Sequence, residues 1–268
     1  MRVPATALLL SCMVALAACS RAGTGVVIAG STSVQPYAEV LAEDYHILYP
    51  DSVIDIQGGG STAGIMAVQN GTAVIGMSSR ELEGDERELY SVEIAKDGLA
   101  FVVHPDNPLD GLTMAQIQSI YAGRITEWSD FGGPAAKIHI IVREEGSGTR
   151  SVFESLVMGS EQITPKAIIQ ASNGAIRQLV SGDPDAIGFI SLGLVDNTVK
   201  ALRLDGVEAT LENVSNGGYR LYRSFLLLLR SAPDGQAGQF IDYALSERGQ
   251  RILLQEGLIP VVGTEAGD

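Results

Sequence analysis

Four short polar segments carry the residue types that could do chemistry. They are Gly30-Ser31-Thr32-Ser33, Gly58-Gly59-Gly60-Ser61-Thr62, Ser78-Ser79-Arg80 and Arg143-Glu144-Glu145-Gly146-Ser147-Gly148-Thr149-Arg150. Each follows an apolar run, and three of them precede a helical pattern. A Ser/Thr-Gly turn that opens a helix presents free backbone N–H groups and hydroxyls at the positive end of the helix dipole. One such turn is an ordinary cap. Several in one chain, with arginines beside them, point to a site that holds a small oxyanion.

The elements that must position these turns alternate. Val26–Gly30 reads as a buried strand, and Pro36 to Leu48 has helical spacing through Tyr37, Val40, Leu41, Tyr45 and Leu48. Val53 to Gln57 alternates as a strand, Ala63 to Gln69 is a helix, and Val74 to Met77 is a third strand. This β-α-β-α-β order argues for a parallel sheet flanked by helices, whose ligands sit beyond the carboxyl ends of the strands. Thr32, Ser61 and Ser79 all fall there, so the order alone predicts that three turns share one crevice. Leu99 to Val103 is a fourth strand, closed by His104-Pro105-Asp106-Asn107-Pro108, which reads as an exit from this lobe. Thr113 caps a helix over 114–122. Strand Ile138 to Val142 runs into Arg143 and its glycine turn, with a helix over 150–158 behind it. A helix at 173–180, strands at 186–191 and 223–230, and helices at 236–245 and 247–256 complete the pattern. Two α/β lobes joined by hinge strands and closing on a ligand fit this order.

Composition narrows the partners. The net charge of −14, with no basic stripe, argues against nucleic acid. A distant negative field is screened over about 8–10 Å at ordinary ionic strength, so local donors can still hold an anion. The first residues are expected to be a secretory signal: Arg2, then an apolar run from Ala5 to Ala18, too short to span a membrane. The segment ends in Leu16-Ala17-Ala18-Cys19, a lipoprotein-type cleavage pattern in which Cys19 becomes the first residue and carries lipid; the alternative is a plain signal peptide. Cys12 would leave with the signal, so no disulfide is expected. Catalysis is weakly supported. Glu145 to Thr149 does not fit the Gly-x-Ser-x-Gly elbow, and Gly-Ser-Gly-Thr-Arg is not a P-loop. His46, His104 and His139 share no motif with a serine, and no Cys/His cluster supports a metal site. No catalytic residue, metal or cofactor is expected.

At the level of motifs the chain resembles the phosphate-binding lipoproteins of ATP-driven phosphate importers, the PstS type, in their shorter-chain branch. The resemblance rests on Gly30-Ser31-Thr32-Ser33 with Pro36, Gly58 to Gly64, and Ile75-Gly76-Met77-Ser78-Ser79-Arg80. It continues through His104 to Pro108, Leu112-Thr113 with Gln116, Ile120-Tyr121-Ala122-Gly123, Ile125 and Trp128, then Arg143 to Thr149. Ser172-Asn173-Gly174, Ile187-Gly188-Phe189 and Leu211-Glu212-Asn213-Val214 complete it.

The resemblance implies an α/β, two-lobed periplasmic-binding-protein fold of type II, with mixed, mostly parallel sheets, helices on both faces and hinge strands between the lobes. It implies a signal peptide over 1–18, a lipid-anchored tether over 19–25, lobe 1 over 26–104 and 223–268, lobe 2 over 105–195, and a return segment near the hinge over 196–222. Inorganic phosphate would be held by Thr32, Ser33, Ser61 and Ser79 from one lobe and by Arg143, Ser147, Gly148 and Thr149 from the other. Glu145 would orient the site arginine. Arg80 joins the candidate ligand residues if it turns inward; otherwise it clamps the lobes or pairs with Glu81 or Glu83. The implied partners are the permease subunits of an ABC importer and, through lipid on Cys19, the membrane, outside the cytoplasm; docking on a permease favours a monomer. One departure bears on selectivity. Longer-chain members place an aspartate where this chain has Ser79, and that carboxylate accepts a hydrogen bond from a protonated phosphate and so rejects fully ionised sulfate. Sulfate, molybdate or tungstate therefore remain alternatives, as does a sensor or adhesin on the same fold.

Overall fold

The computed structural model describes residues 25–261. The expected signal over 1–18, Cys19 and nearly all of the tether lie outside the described residues, as does 262–268. The first lobe opens with β1 (Val26–Gly30), α1 (Gln35–Leu48), β2 (Ile54–Gly58), α2 (Ser61–Asn70) and β3 (Ile75–Ser78). β1 runs parallel to both neighbours, with Ile28 opposite Ile56 of β2 and Ile75 of β3. The turns that follow these strands therefore leave the sheet at one edge, as the β-α-β-α-β order requires. α1 buries Tyr37, Ala38, Leu41 and Tyr45, a stripe at helical spacing. α2 sits almost on the strands it serves: a Cβ on Gly64 would stand 2.6 Å from the Gly30 Cα. That close approach lets Ser61, at the start of α2, reach Ser79 just beyond β3.

The chain continues through β4 (Tyr90–Val103), β5 (Gly111–Leu112), α3 (Met114–Tyr121), β6 (His139–Arg143), α4 (Gly148–Phe153) and β7 (Ile168–Gln170). Then come α5 (Asn173–Gly182), β8 (Ala186–Ser191), β9 (Lys200–Ala201), β10 (Arg203–Leu204) and α6 (Leu211–Ser215). β11 (Tyr222–Leu229), α7 (Gly235–Leu245), α8 (Glu247–Gln255) and β12 (Ile259–Pro260) end the described chain. Ten of the described strands form one mixed sheet in the order β2-β1-β3-β11-β4-β8-β6-β7, with β9 and β12 also on β4, and β5 pairs with β10 in a separate two-stranded sheet. β11 is antiparallel to β3 and β4, whereas β6 is parallel to β7 and β8. Thr113 caps α3 as expected, and Gln116 completes a capping box. No described helix is long and apolar enough to cross a membrane.

β4 is the structural seam. Its first half pairs with β11, from Leu229 opposite Tyr90 to Tyr222 opposite Gly98; its second half pairs with β8, from Leu99 opposite Ser191 to Val103 opposite Ile187. One core lies on the first half, built from residues such as Ile28, Leu41, Met77, Phe225, Phe240 and Leu253. Another lies on the second half, around Phe101, Tyr121, Trp128, Phe153 and Phe189. The segment 196–222, expected as a return near the hinge, packs Leu202, Leu204, Val214, Tyr219 and Leu221 into this second core. Only Leu99 to Val103 reads as strand in the sequence, because Glu93, Lys96 and Asp97 interrupt the apolar pattern. Asp97 faces a buried arginine and Glu93 accepts from Ser224 at 2.7 Å, so these charges belong to the seam. The expected helix over 150–158 changes pitch after Phe153 into a π turn, Glu154–Met158.

The second core depends on its aromatic stack. Phe153 and Phe189 lie 4.3 Å apart at 14°, and Tyr121 lies 4.6 Å from Phe153. Trp128 donates through Nε1 to the Asp185 carbonyl at 3.0 Å, which satisfies its one polar atom. Phe153→Ala removes a ring from the middle of this stack. It is expected to lower the unfolding free energy by about 3–5 kcal/mol, read from urea denaturation.

Candidate functional site

The turns at the carboxyl ends of β1 and β3 and the N-terminus of α2 are tied together by backbone. Ser31 donates its amide to the Met77 carbonyl at 2.9 Å, and Gly60 donates to Gly30 at 3.0 Å. This brings three hydroxyls into one buried group. Ser31 Oγ donates to Ser79 Oγ at 2.9 Å, and Ser61 Oγ lies 3.3 Å from Ser79 Oγ and accepts the Ser79 amide at 3.0 Å. Ser31, Ser33, Ser61 and Ser79 are all buried, and Thr32 is half-buried.

The second lobe meets this group directly. Ser33 Oγ lies 2.8 Å from Thr149 Oγ1 and accepts from Asn173 Nδ2 at 2.9 Å. Arg143 Nη2 donates to Thr32 Oγ1 at 2.8 Å, and the Thr62 amide donates to the Gly146 carbonyl at 3.2 Å. A Cβ on Gly148 would stand 2.4 Å from Ser61 Oγ and 2.6 Å from Ser79 Oγ. Only glycine permits that approach. Ser147 spends its hydroxyl as the cap of α4, accepting from the Arg150 amide at 3.3 Å. Arg150 itself pairs with Glu154 at 2.8 Å.

Arg143 is the charge of this assembly. It is 1 % exposed at the end of β6. Its Nε and Nη2 each donate to a different Glu144 oxygen at 2.8 Å, and Nη2 also reaches the Ala171 carbonyl at 3.3 Å. Nη1 lies 3.5 Å from both Thr149 Oγ1 and Asn173 Oδ1. The orienting carboxylate is therefore Glu144, where the sequence pointed to Glu145. Glu144 is half-buried and its carboxylate closes a two-pronged pair with the guanidinium of its own neighbour; Glu145, one residue on, faces solvent.

Arg80 takes the other direction. Its Nη1 and Nη2 donate to the two Glu86 oxygens at 2.7 and 2.8 Å, and Nη2 lies 3.4 Å from Thr62 Oγ1. Its backbone amide donates to Ser78 Oγ at 3.3 Å, but its guanidinium makes no hydrogen bond to Ser31, Ser33, Ser61 or Ser79. The carboxylate partner is Glu86, on the 84–88 turn that folds back over it, and Glu81 contributes only its backbone carbonyl, which accepts from Nη1 at 2.9 Å. The Arg80 guanidinium holds the Glu86 carboxyl below the usual carboxylate range.

Ser31, Asn173 and Glu144 are members of the site that sequence reasoning did not single out. A signal existed for Asn173. Ser172 caps α5 by accepting the Ala175 amide at 3.1 Å, so the next side chain is free to turn inward. Glu144→Ala leaves a buried guanidinium short of its anion and is expected to cost about 1–3 kcal/mol of stability. Glu145→Ala should change it by less than about 0.5 kcal/mol. Urea unfolding of the two variants, side by side, separates them.

Comparison with known proteins places this geometry in a family. Residues 17–248 match the model of the PBP superfamily domain. The phosphate-binding protein PstS of Bacillus subtilis (strain 168) is 31% identical over 247 residues, covering 90% of this chain and 82% of that one. The phosphate-binding protein PstS of Pseudomonas aeruginosa (strain UCBPP-PA14) is 30% identical over 263 residues, covering 87% and 81%. Among solved structures, a Clostridium perfringens protein crystallised with bound phosphate superposes with TM-score 0.85 at 44% identity, over 89% of this chain and 100% of that one. An ABC-type phosphate transport receptor from Vibrio cholerae superposes with TM-score 0.74 at 40% identity, over 87% and 99%. By sequence over most of its length and by fold, the chain belongs to the PBP superfamily and, within it, to the PstS family.

Proposed function

We propose that this protein captures inorganic phosphate between its two lobes and delivers it to the membrane subunits of an ATP-driven importer. The observation that carries this reading is the meeting of Thr32, Ser33, Ser61 and Ser79 from one lobe with Arg143, Gly148, Thr149 and Asn173 from the other at one buried point. The names of the PstS relatives and the phosphate bound to the Clostridium perfringens neighbour support the same ligand.

Phosphate at neutral pH carries between one and two negative charges, and burying it without partners is prohibitive. A group of neutral hydroxyls and amides around one guanidinium answers its oxygens. Charge-assisted hydrogen bonds contribute about 1.5–3 kcal/mol each, so a handful supplies the ~8 kcal/mol of micromolar binding. Neutral dipoles also let the ligand leave once the lobes part. In this reading the protein acts as a binder and not a catalyst. It works outside the cytoplasm as a monomer, held at the membrane through lipid on Cys19. Arg80 serves as a brace of the first lobe through Glu86, and Ser147 contributes mainly as the cap that fixes the Gly148-Thr149 turn.

One observation favours a second reading, a binding protein for sulfate or another tetrahedral oxyanion. Ser79 is a neutral hydroxyl at the centre of the buried serines, and both oxygens of Glu144 are committed to Arg143. The hydrogen-bonded group thus lacks a free carboxylate to repel a fully ionised anion.

Calorimetric titration of the purified protein with phosphate, then with sulfate, tests both readings. Phosphate is expected to bind with a dissociation constant of about 1 µM or tighter. Absence of phosphate binding would remove the first reading, and equal displacement by sulfate would favour the second. Arg143→Ala is expected to weaken phosphate at least about tenfold. Gly148→Ala, by driving a methyl into Ser61 and Ser79, should weaken it similarly while leaving the melting temperature nearly unchanged.

A further inference from the structure

The seam strands carry a second buried guanidinium. Asp97 of β4 and Arg223 of β11 face each other in register. Arg223 donates to Asp97 Oδ2 through Nε at 3.1 Å and Nη2 at 2.9 Å, and Ser191 at the end of β8 donates to Oδ1 at 2.6 Å. Asp97 is 0 % and Arg223 4 % exposed. The third nitrogen of the guanidinium, Nη1, is buried and has no hydrogen-bond partner among the described residues. Native interiors leave few such donors unanswered, and each one calls for an explanation.

The surroundings of Arg223 place it behind the anion site. Arg223 and Phe225 are two residues apart on β11 and share a sheet face; the Arg223 Cζ lies 5.4 Å from the Phe225 ring. That ring packs on Tyr37 of α1 at 5.7 Å, and the Tyr37 hydroxyl lies 3.3 Å from Ser191 Oγ. The guanidinium therefore lies beneath the first turns of α1, the helix that Ser31, Thr32 and Ser33 lead into. β11 also pairs with β3, Leu226 opposite Ser78, which sets Arg223 at the end of β3 that carries Ser79. From the other lobe the charge of Arg143 acts on Arg223: burial first, then that like charge, pull the Arg223 pKa down against the opposing pull of Asp97. Arg143 and Arg223 are thus two buried guanidinium groups close enough for the charge of one to act on the other.

We propose that Arg223 is a second cationic ligand of the oxyanion site, its Nη1 donating to the bound anion while Asp97 fixes the other two nitrogens. The inference rests on the oxyanion reading given above. It adds a charge to that of Arg143, and it compensates for hydroxyls that carry none. An anion between the two arginines relieves their mutual repulsion. Because Arg223 is paired with Asp97 on β4, the strand that passes between both halves, the same contact ties ligand capture to the position of the seam.

The alternative is that Arg223 only neutralises Asp97. The pair Asp97→Asn with Arg223→Gln distinguishes them, since it removes both charges together and keeps a polar side chain at each position. Wild type and the double variant are titrated calorimetrically with phosphate and with sulfate, after thermal melts confirm folding. The expected result is a double variant that binds the wild type's preferred anion at least about tenfold more weakly. A folded double variant that binds within about twofold of wild type overturns the proposal and leaves the oxyanion reading standing. A wild type that binds neither anion overturns both. Should the double variant not fold, a crystal structure of the wild type with phosphate decides. Nη1 within about 3.2 Å of a phosphate oxygen supports the contact, and a separation beyond about 4 Å with no bridging water overturns it.

Discussion

Burial of Arg143 is the constraint on which the rest of this structure depends. A guanidinium that is 1 % exposed is intolerable without acceptors on several sides. Glu144 answers two of its nitrogens, and Ala171 and Thr32 answer Nη2 as well. The Thr32 contact comes from the other lobe, so closure adds a further acceptor to a guanidinium already answered within its own lobe. The same closure stacks the Ser33, Thr149 and Asn173 side chains against one another. Closure therefore has an electrostatic as well as a steric component. An anion carried into this position would replace contacts between donors with contacts to the ligand.

The second buried pair, Asp97 with Arg223, shows why the seam is built from strands and not from a loose linker. β4 passes without a break from the sheet of one lobe to that of the other. Charges placed in the interior of such a strand must be paired at fixed register, and the antiparallel ladder with β11 supplies that register. Ser191 and Tyr37 extend the network from β8 to α1. These groups lose water on burial and gain fixed partners across β4, β8, β11 and α1.

Some of this was legible in the residues alone. Strand–turn–helix order placed Thr32, Ser61 and Ser79 on one edge, because side-chain period and chain direction are local properties. The position of Arg143, directly after an apolar strand and before a glycine turn, pointed inward for the same reason. The first half of β4 was not legible. Asp97 breaks the apolar pattern, and only Arg223, 126 residues later, makes it a core residue. Arg80 and Glu145 were misread for a related reason: which carboxylate meets which guanidinium depends on how a turn folds back, and the competing glutamates are adjacent in sequence.

The chain by itself determined the class of fold, the alternation of elements, the two halves and the kind of chemistry, since hydrophobic period, capping residues and Ser/Thr-Gly turns are written locally. Tertiary structure decided the pairings: Arg143 with Glu144 and Thr32, Arg80 with Glu86, Asp97 with Arg223, and the entry of Ser31 and Asn173 into the site. The physical reason is that a buried charge or hydroxyl is assigned its partner by distance and desolvation, and both exist only once distant segments have packed together.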